Sequence, residues 1–121
     1  MRDEGKVLAI VGDLFFSSKI RETAAHVGVP VIFAASQTAL REALVAGGIG
    51  LAIIDLGART LDPIDAIRAV RASDGIRTVA FVSHVDAEAQ QKATEAGCES
   101  VLPKSAFTRD LPRILQQGRR P

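Results

Sequence analysis

Two textures of apolar position alternate along this chain. One is a short continuous apolar run: Val7-Leu8-Ala9-Ile10-Val11, then Val29 to Ala34, Leu51 to Ile54, Thr78 to Val82, and Ser100 to Leu102. Runs without polar interruption suit strands buried on both faces, which is the condition of a parallel sheet. The other texture is longer and amphipathic. Phe16, Ile20, Ala24 and Val27 recur at helical spacing and stop at Gly28, a residue that closes helices in the left-handed conformation. Leu40, Ala43 and Leu44 form a second stripe that ends at Gly47-Gly48. A third begins at Asp62-Pro63, where Asp caps free amides and Pro suits the first turn; Ile64, Ile67 and Val70 are its inward residues. Asp86 is placed to cap a fourth helix ending at Gly97, with only Ala89, Ala93 and Ala96 facing inward. So small a buried face predicts a loosely held helix. Leu111, Ile114 and Leu115 mark a fifth helix, for which Pro112 predicts a late start.

The order is therefore strand then helix, five times over. It predicts a three-layer α/β domain: a five-stranded parallel sheet in the order 2-1-3-4-5, joined by right-handed crossovers, with helices on both faces. The 121 residues fit one domain spanning 1–121, with no linker, internal repeat or low-complexity tract. Apolar residues make up 47% of the chain but aromatic ones only 4%, with no Trp or Tyr. The core must be aliphatic. A formal net charge of +1 gives no reason to expect a nucleic-acid or membrane partner. The basic pair Arg119-Arg120 reads as a solvated tail. The single cysteine, Cys98, excludes an internal disulfide and a thiolate metal cluster and reads as a small buried residue. Neither a signal peptide nor a span of bilayer length is visible, so the expected location is cytoplasmic.

In an open α/β sheet, ligands bind beyond the carboxyl ends of the strands. The first polar residues after the predicted strands are Asp13, Asp55, Ser83-His84 and Lys104. Two carboxylates, a hydroxyl and an ammonium should meet at one edge. Carboxylates can hold Mg²⁺ while leaving room for a phosphoryl oxygen, and the hydroxyl and ammonium can donate to its other oxygens. Elsewhere the polar residues read as structural: Glu88 and Lys92 as a helix-surface pair, and Asp86 as a cap. His26 and His84 show no metal-binding spacing.

Four segments, Ala9-Ile10-Val11-Gly12-Asp13, Ala52-Ile53-Ile54-Asp55-Leu56, Ala80-Phe81-Val82-Ser83 and Val101-Leu102-Pro103-Lys104, together resemble the receiver domain of two-component response regulators. The resemblance runs from about Lys6 to Leu115. It implies Asp55 as phosphoacceptor, Asp13, Asp55 and the backbone carbonyl of Gly57 around Mg²⁺, and Ser83 and Lys104 in contact with the phosphoryl group. It also implies a histidine kinase or phosphotransfer protein upstream, a downstream partner protein, and a possible homodimer. The implied role is signalling rather than enzymatic.

The chain departs from that pattern in ways that bear on chemistry. Gly12 stands where the family has the first acid of its metal-binding pair, so Mg²⁺ should bind weakly. His84, at the pocket rim, stands where the family has a small residue and is expected to shield Asp55. Ser105 rather than Pro follows Lys104, and Val101 replaces the aromatic that moves on activation. Motion driven from Asp55 should therefore pass through the segment 83–97. These departures leave two readings. One is a phosphoacceptor with a degenerate metal site; the other is a phosphorylation-independent pseudo-receiver that acts as a protein-interaction module. A third, a small flavodoxin-like enzyme, has less support. The loop Asp13-Leu14-Phe15-Phe16-Ser17-Ser18 lacks glycine, and no Trp or Tyr can stack on a flavin.

Overall fold

A computed structural model describes residues 5–73, 75–83 and 86–119 of the chain. Five strands, β1 (Lys6–Ile10), β2 (Val31–Phe33), β3 (Ile49–Asp55), β4 (Arg77–Val82) and β5 (Ser100–Pro103), form one sheet. Its order is β2-β1-β3-β4-β5, and every pairing is parallel. The strand order expected from the alternating runs is thus the observed one. Six helices connect and follow the strands: α1 (Leu14–Val27), α2 (Gln37–Ala46), α3 (Pro63–Arg71), α4 (Ala87–Glu95), α5 (Lys104–Arg109) and α6 (Leu111–Gln116). A 3₁₀ turn over Gln117–Arg119 ends the described chain. No helix among the described residues is long and apolar enough to cross a membrane.

The central strands are buried on both sides, as their unbroken apolar runs require. Val7 through Ile10 and Leu51 through Ile54 are all fully buried. Their side chains alternate between two cores. Val7, Ala9, Leu51 and Ile53 join Phe16, Ile20, Phe81, Phe107, Leu111 and Leu115 on one face. Leu8, Ile10, Ala52 and Ile54 join Leu40, Ala66, Ile67, Val70 and Ala93 on the other.

Local chemistry fixes the helix ends. Asp13, Asp62 and Asp86 each accept backbone N–H bonds at the start of α1, α3 and α4. Gly28 ends α1 with φ 76° and bonds back to the carbonyls of Ala24 and Ala25, a left-handed close that costs a Cβ-bearing residue strain. Gly97, with φ 110°, sits where a Cβ would be strained and would come within 2.8 Å of the Arg71 side chain, which would have to shift. Thr78, fully buried, ties the starts of β4 and β5 together. Its hydroxyl accepts from the Glu99 amide at 2.8 Å, while its own amide donates to the Glu99 carboxylate at 3.3 Å.

The C-terminal helix departs from the expected late start. Helix begins directly at Lys104, and the chain forms two short helices that break at Asp110. Pro112 lacks an amide to continue the ladder, so it sits in the first turn of α6 rather than delaying the whole helix. The segment before it buries Phe107 completely. The Lys104–Ser105 peptide is trans.

Candidate functional site

Register explains why distant polar residues meet. Ile10 pairs with Ile54, Ile54 with Ala80, and Ala80 with Val101. The pairs form one row across the sheet. Asp13, Asp55, Ser83 and Lys104 all lie on that row or within three residues beyond it, at the carboxyl edge. The β3–β4 ladder continues one step further, with the Leu56 amide donating to the Phe81 carbonyl at 3.0 Å. A turn then closes as the Ala58 amide donates to the Asp55 carbonyl at 3.0 Å.

These residues line a single cleft of about 330 Å³, walled by Gly12, Asp13, Asp55, Gly57, Ala58, Arg59, Thr60, Ser83 and Lys104. Size alone does not single it out. A hollow of about 380 Å³ lies between the start of β4, β5 and α6. Both hollows carry two acids and two cations; the cleft beside Asp55 is distinguished by its place beyond the carboxyl ends of the strands. His84, the expected rim residue, lies outside the described residues.

Three of the candidate side chains, Asp13, Asp55 and Lys104, have defined partners. Asp13 Oδ1 accepts from the Phe15 and Phe16 amides at 2.9 and 3.3 Å, capping α1. Its other oxygen, Oδ2, lies 3.7 Å from the Lys104 ammonium. That ammonium also sits 4.6 Å from the centre of the Phe16 ring, a favourable site for a cation. Phe16, Phe81 and Phe107 pack together beneath it, with ring centres 4.6 to 5.7 Å apart. The lysine is therefore held from both sides, by charge and by an aromatic floor. Asp55 Oδ1 accepts the Gly57 amide at 2.8 Å. Its Oδ2 carries no hydrogen bond to any described residue.

The donor set is thin for a resident Mg²⁺. Mg²⁺ demands near-ideal octahedral oxygen ligation. Here Asp13 is engaged at both oxygens, Asp55 at one, and Gly12 contributes no carboxylate. Among the described residues, no group of three or more His, Cys, Asp or Glu side chains is placed to hold a metal ion. Arg59 and Thr60 also line the cleft, although the sequence reading gave them no role. Their only sequence signal was position, in the loop between Asp55 and the Asp62 cap.

Residues read as structural behave so. Lys92 and Glu88 pair at 3.3 Å on the surface of α4. Cys98 is buried, and its thiol contacts the Ser100 carbonyl at 3.3 Å. Burial pushes that thiol above its ordinary pKa. Cys98 is not among the residues that line the cleft.

No family model matches the sequence, and no curated protein matches it. Solved structures do match in fold. A response regulator receiver domain protein from Methanospirillum hungatei superposes with a TM-score of 0.79 at 16% identity, over 93% of this chain and 90% of that one. The receiver domain of a sensor histidine kinase from Pseudomonas aeruginosa, crystallised with magnesium coordinated in its active-site cleft, gives 0.78 at 19% identity, over 93% and 94%. A response regulator from Burkholderia pseudomallei, solved with a phosphorylated aspartic acid, calcium and citrate, gives 0.79 at 16% identity, over 92% of this chain and 66% of that one. The fold is that of response-regulator receiver domains.

Proposed function

We propose that this receiver-like domain works in signal transduction, with Asp55 as the candidate phosphoacceptor of a two-component phosphorelay. The reading is carried by one observation: Asp13, Asp55, Ser83 and Lys104, from four separate strand ends, line a single cleft. Phosphoryl transfer asks little covalent chemistry of a protein and depends on positioning and charge. Asp55 Oδ2 is the nucleophile, because Oδ1 is tied to the Gly57 amide. As the new oxygen–phosphorus bond forms, the bond from phosphorus to a donor histidine nitrogen breaks. The ring leaves with that electron pair, as neutral imidazole when it was protonated before transfer. Lys104 and Ser83 stabilise the charge on the phosphoryl oxygens. Upstream, the partner is a histidine kinase or phosphotransfer protein; downstream, a protein reads the domain's surface.

The thin donor set for Mg²⁺, with no carboxylate at Gly12, favours a second reading, a phosphorylation-independent pseudo-receiver that binds a protein partner through the same fold. One experiment separates the two. The chain is incubated with a small phosphodonor, with and without Mg²⁺, and its intact mass is measured. A gain of one phosphoryl group, abolished in Asp55→Asn, supports the first reading. An unchanged mass, even with the cognate kinase present, supports the second.

A further inference from the structure

The cleft is charge-balanced from its own side chains. Two carboxylates, Asp13 and Asp55, line it together with two cations, Arg59 and Lys104, so its formal charge is zero. An acid at position 12 and a neutral residue at 59 would instead set three carboxylates against one ammonium. That net charge of −2 is what a divalent cation neutralises. Positions 12 and 59 are also adjacent along the cleft wall. A Cβ on Gly12 would point at Ala58, 3.7 Å from its Cα, and would lie 3.9 Å from the Arg59 amide nitrogen. The loop after Asp55 thus carries the backbone of Ala58 and Arg59 past the place where the acid is missing. Arg59 is exposed, and it makes no ion pair with any described residue.

We propose that Arg59 supplies the positive charge a divalent cation would otherwise bring, so that the cleft holds a small tetrahedral oxyanion without metal. Guanidinium suits this task, since its planar fork donates two parallel hydrogen bonds to such an anion and never loses its charge. Lys104, fixed above the Phe16 ring, faces the anion as a second point charge, and Ser83 and Thr60 add hydroxyl donors on the cleft wall. The anion is either a phosphoryl group carried on Asp55 or free inorganic phosphate. The inference rests on the reading of this cleft as the signalling site and names the charge that runs it.

Amide chemical shifts recorded by NMR during titration test the idea, with inorganic phosphate and a chelator in one series and Mg²⁺ alone in another. In the wild-type protein, phosphate should move the amides of Gly57, Ala58, Ser83 and Lys104 without any metal, and Mg²⁺ alone in the millimolar range should not. Arg59→Ala should weaken phosphate binding about fivefold to tenfold, the scale of a partly exposed charged hydrogen bond. The double variant Gly12→Asp with Arg59→Ala should respond to Mg²⁺. Intact mass before and after titration distinguishes free phosphate from covalent phosphoryl. Phosphate binding unaffected by Arg59→Ala but lost in Lys104→Ala overturns the role of Arg59 and leaves the cleft reading standing. Shifts that map to Arg77 and Arg113, or no shifts at all, overturn the proposal; the phosphodonor mass experiment then decides the cleft reading separately. Wild-type binding of Mg²⁺ as tight as that of the double variant also overturns it.

Discussion

The two faces of the sheet are built from different materials. Toward α1, α5 and α6 the core contains Phe16, Phe81, Phe107, Leu111, Ile114 and Leu115. Toward α2, α3 and α4 it contains Ala43, Ala52, Ala66, Ala80, Ala93 and Cys98 among its larger residues, and no aromatic side chain is buried there. Large interlocking rings resist displacement, whereas a helix seated through one alanine loses little by moving. The aromatic face also floors the cleft and holds Lys104. The opposite face carries α4, of which only Ala93 is buried, and a groove of about 230 Å³ separates α4 from the start of α3. A single sheet thus gives the cleft one fixed wall and one compliant flank.

The largest test of this asymmetry is Phe107→Ala. Phe107 is fully buried and stacks on Phe81 at 4.6 Å. Its truncation should cost about 3–5 kcal/mol, the usual scale for a buried phenylalanine. Ala93→Gly, on the other face, should cost only about 1 kcal/mol, mostly from helix propensity. Denaturant unfolding measures both. Equal losses would mean that the two faces are equally tight and that the comparison is wrong.

Caps give a smaller effect and sharpen the contrast. Asp62 accepts from the Ile64 and Asp65 amides at 2.9 and 3.4 Å, and α3 buries Ala66, Ile67 and Val70 behind that cap. Asp62→Ala should lower global stability by about 1 kcal/mol. Asp86→Ala removes the bond to the Ala89 amide at 3.1 Å. Because α4 contributes so little burial, this loss should appear as faster amide exchange confined to Ala87–Glu95, with a smaller change in global stability. A full global loss from Asp86→Ala would show that α4 unfolds only with the whole domain.

The asymmetry was half legible in the sequence. Ala89, Ala93 and Ala96 announced a thin α4, and the unbroken runs announced a doubly covered sheet, because burial of a parallel strand must appear as residue type. The aromatic floor was not legible. Phe16, Phe81 and Phe107 are far apart along the chain, and one of them lies in a helix that Pro112 concealed. The edge residues Asp13, Asp55, Ser83 and Lys104 were readable because parallel register brings strand ends together whatever lies between them. The approach of the Ala58–Arg59 backbone to Gly12 was hidden, since it depends on how a loop folds back rather than on any strand.

The smallest expected effect lies at the joint between α5 and α6. Asp110 receives hydrogen bonds from Arg109 at 3.3 and 3.4 Å, and Arg113 lies 3.1 Å from its carboxylate. The hydrogen bond from Arg109, with the charges of both arginines, holds this carboxyl below its ordinary value of 3.8. A carboxyl whose pKa is lower in the folded state stabilises the fold above its unfolded value, and that contribution disappears as pH falls through the folded value. Wild-type protein should therefore lose slightly more stability than Asp110→Asn on acidification through this range. The difference should shrink in high salt, because the pairs lie at the surface. Thermal unfolding of both proteins between neutral and acid pH measures it. The aromatic face should dominate this joint, so the effect should be far smaller than that of Phe107→Ala three residues away. An acid loss approaching the size of the Phe107→Ala loss would mean that ion pairing, rather than ring packing, secures the fixed wall of the cleft.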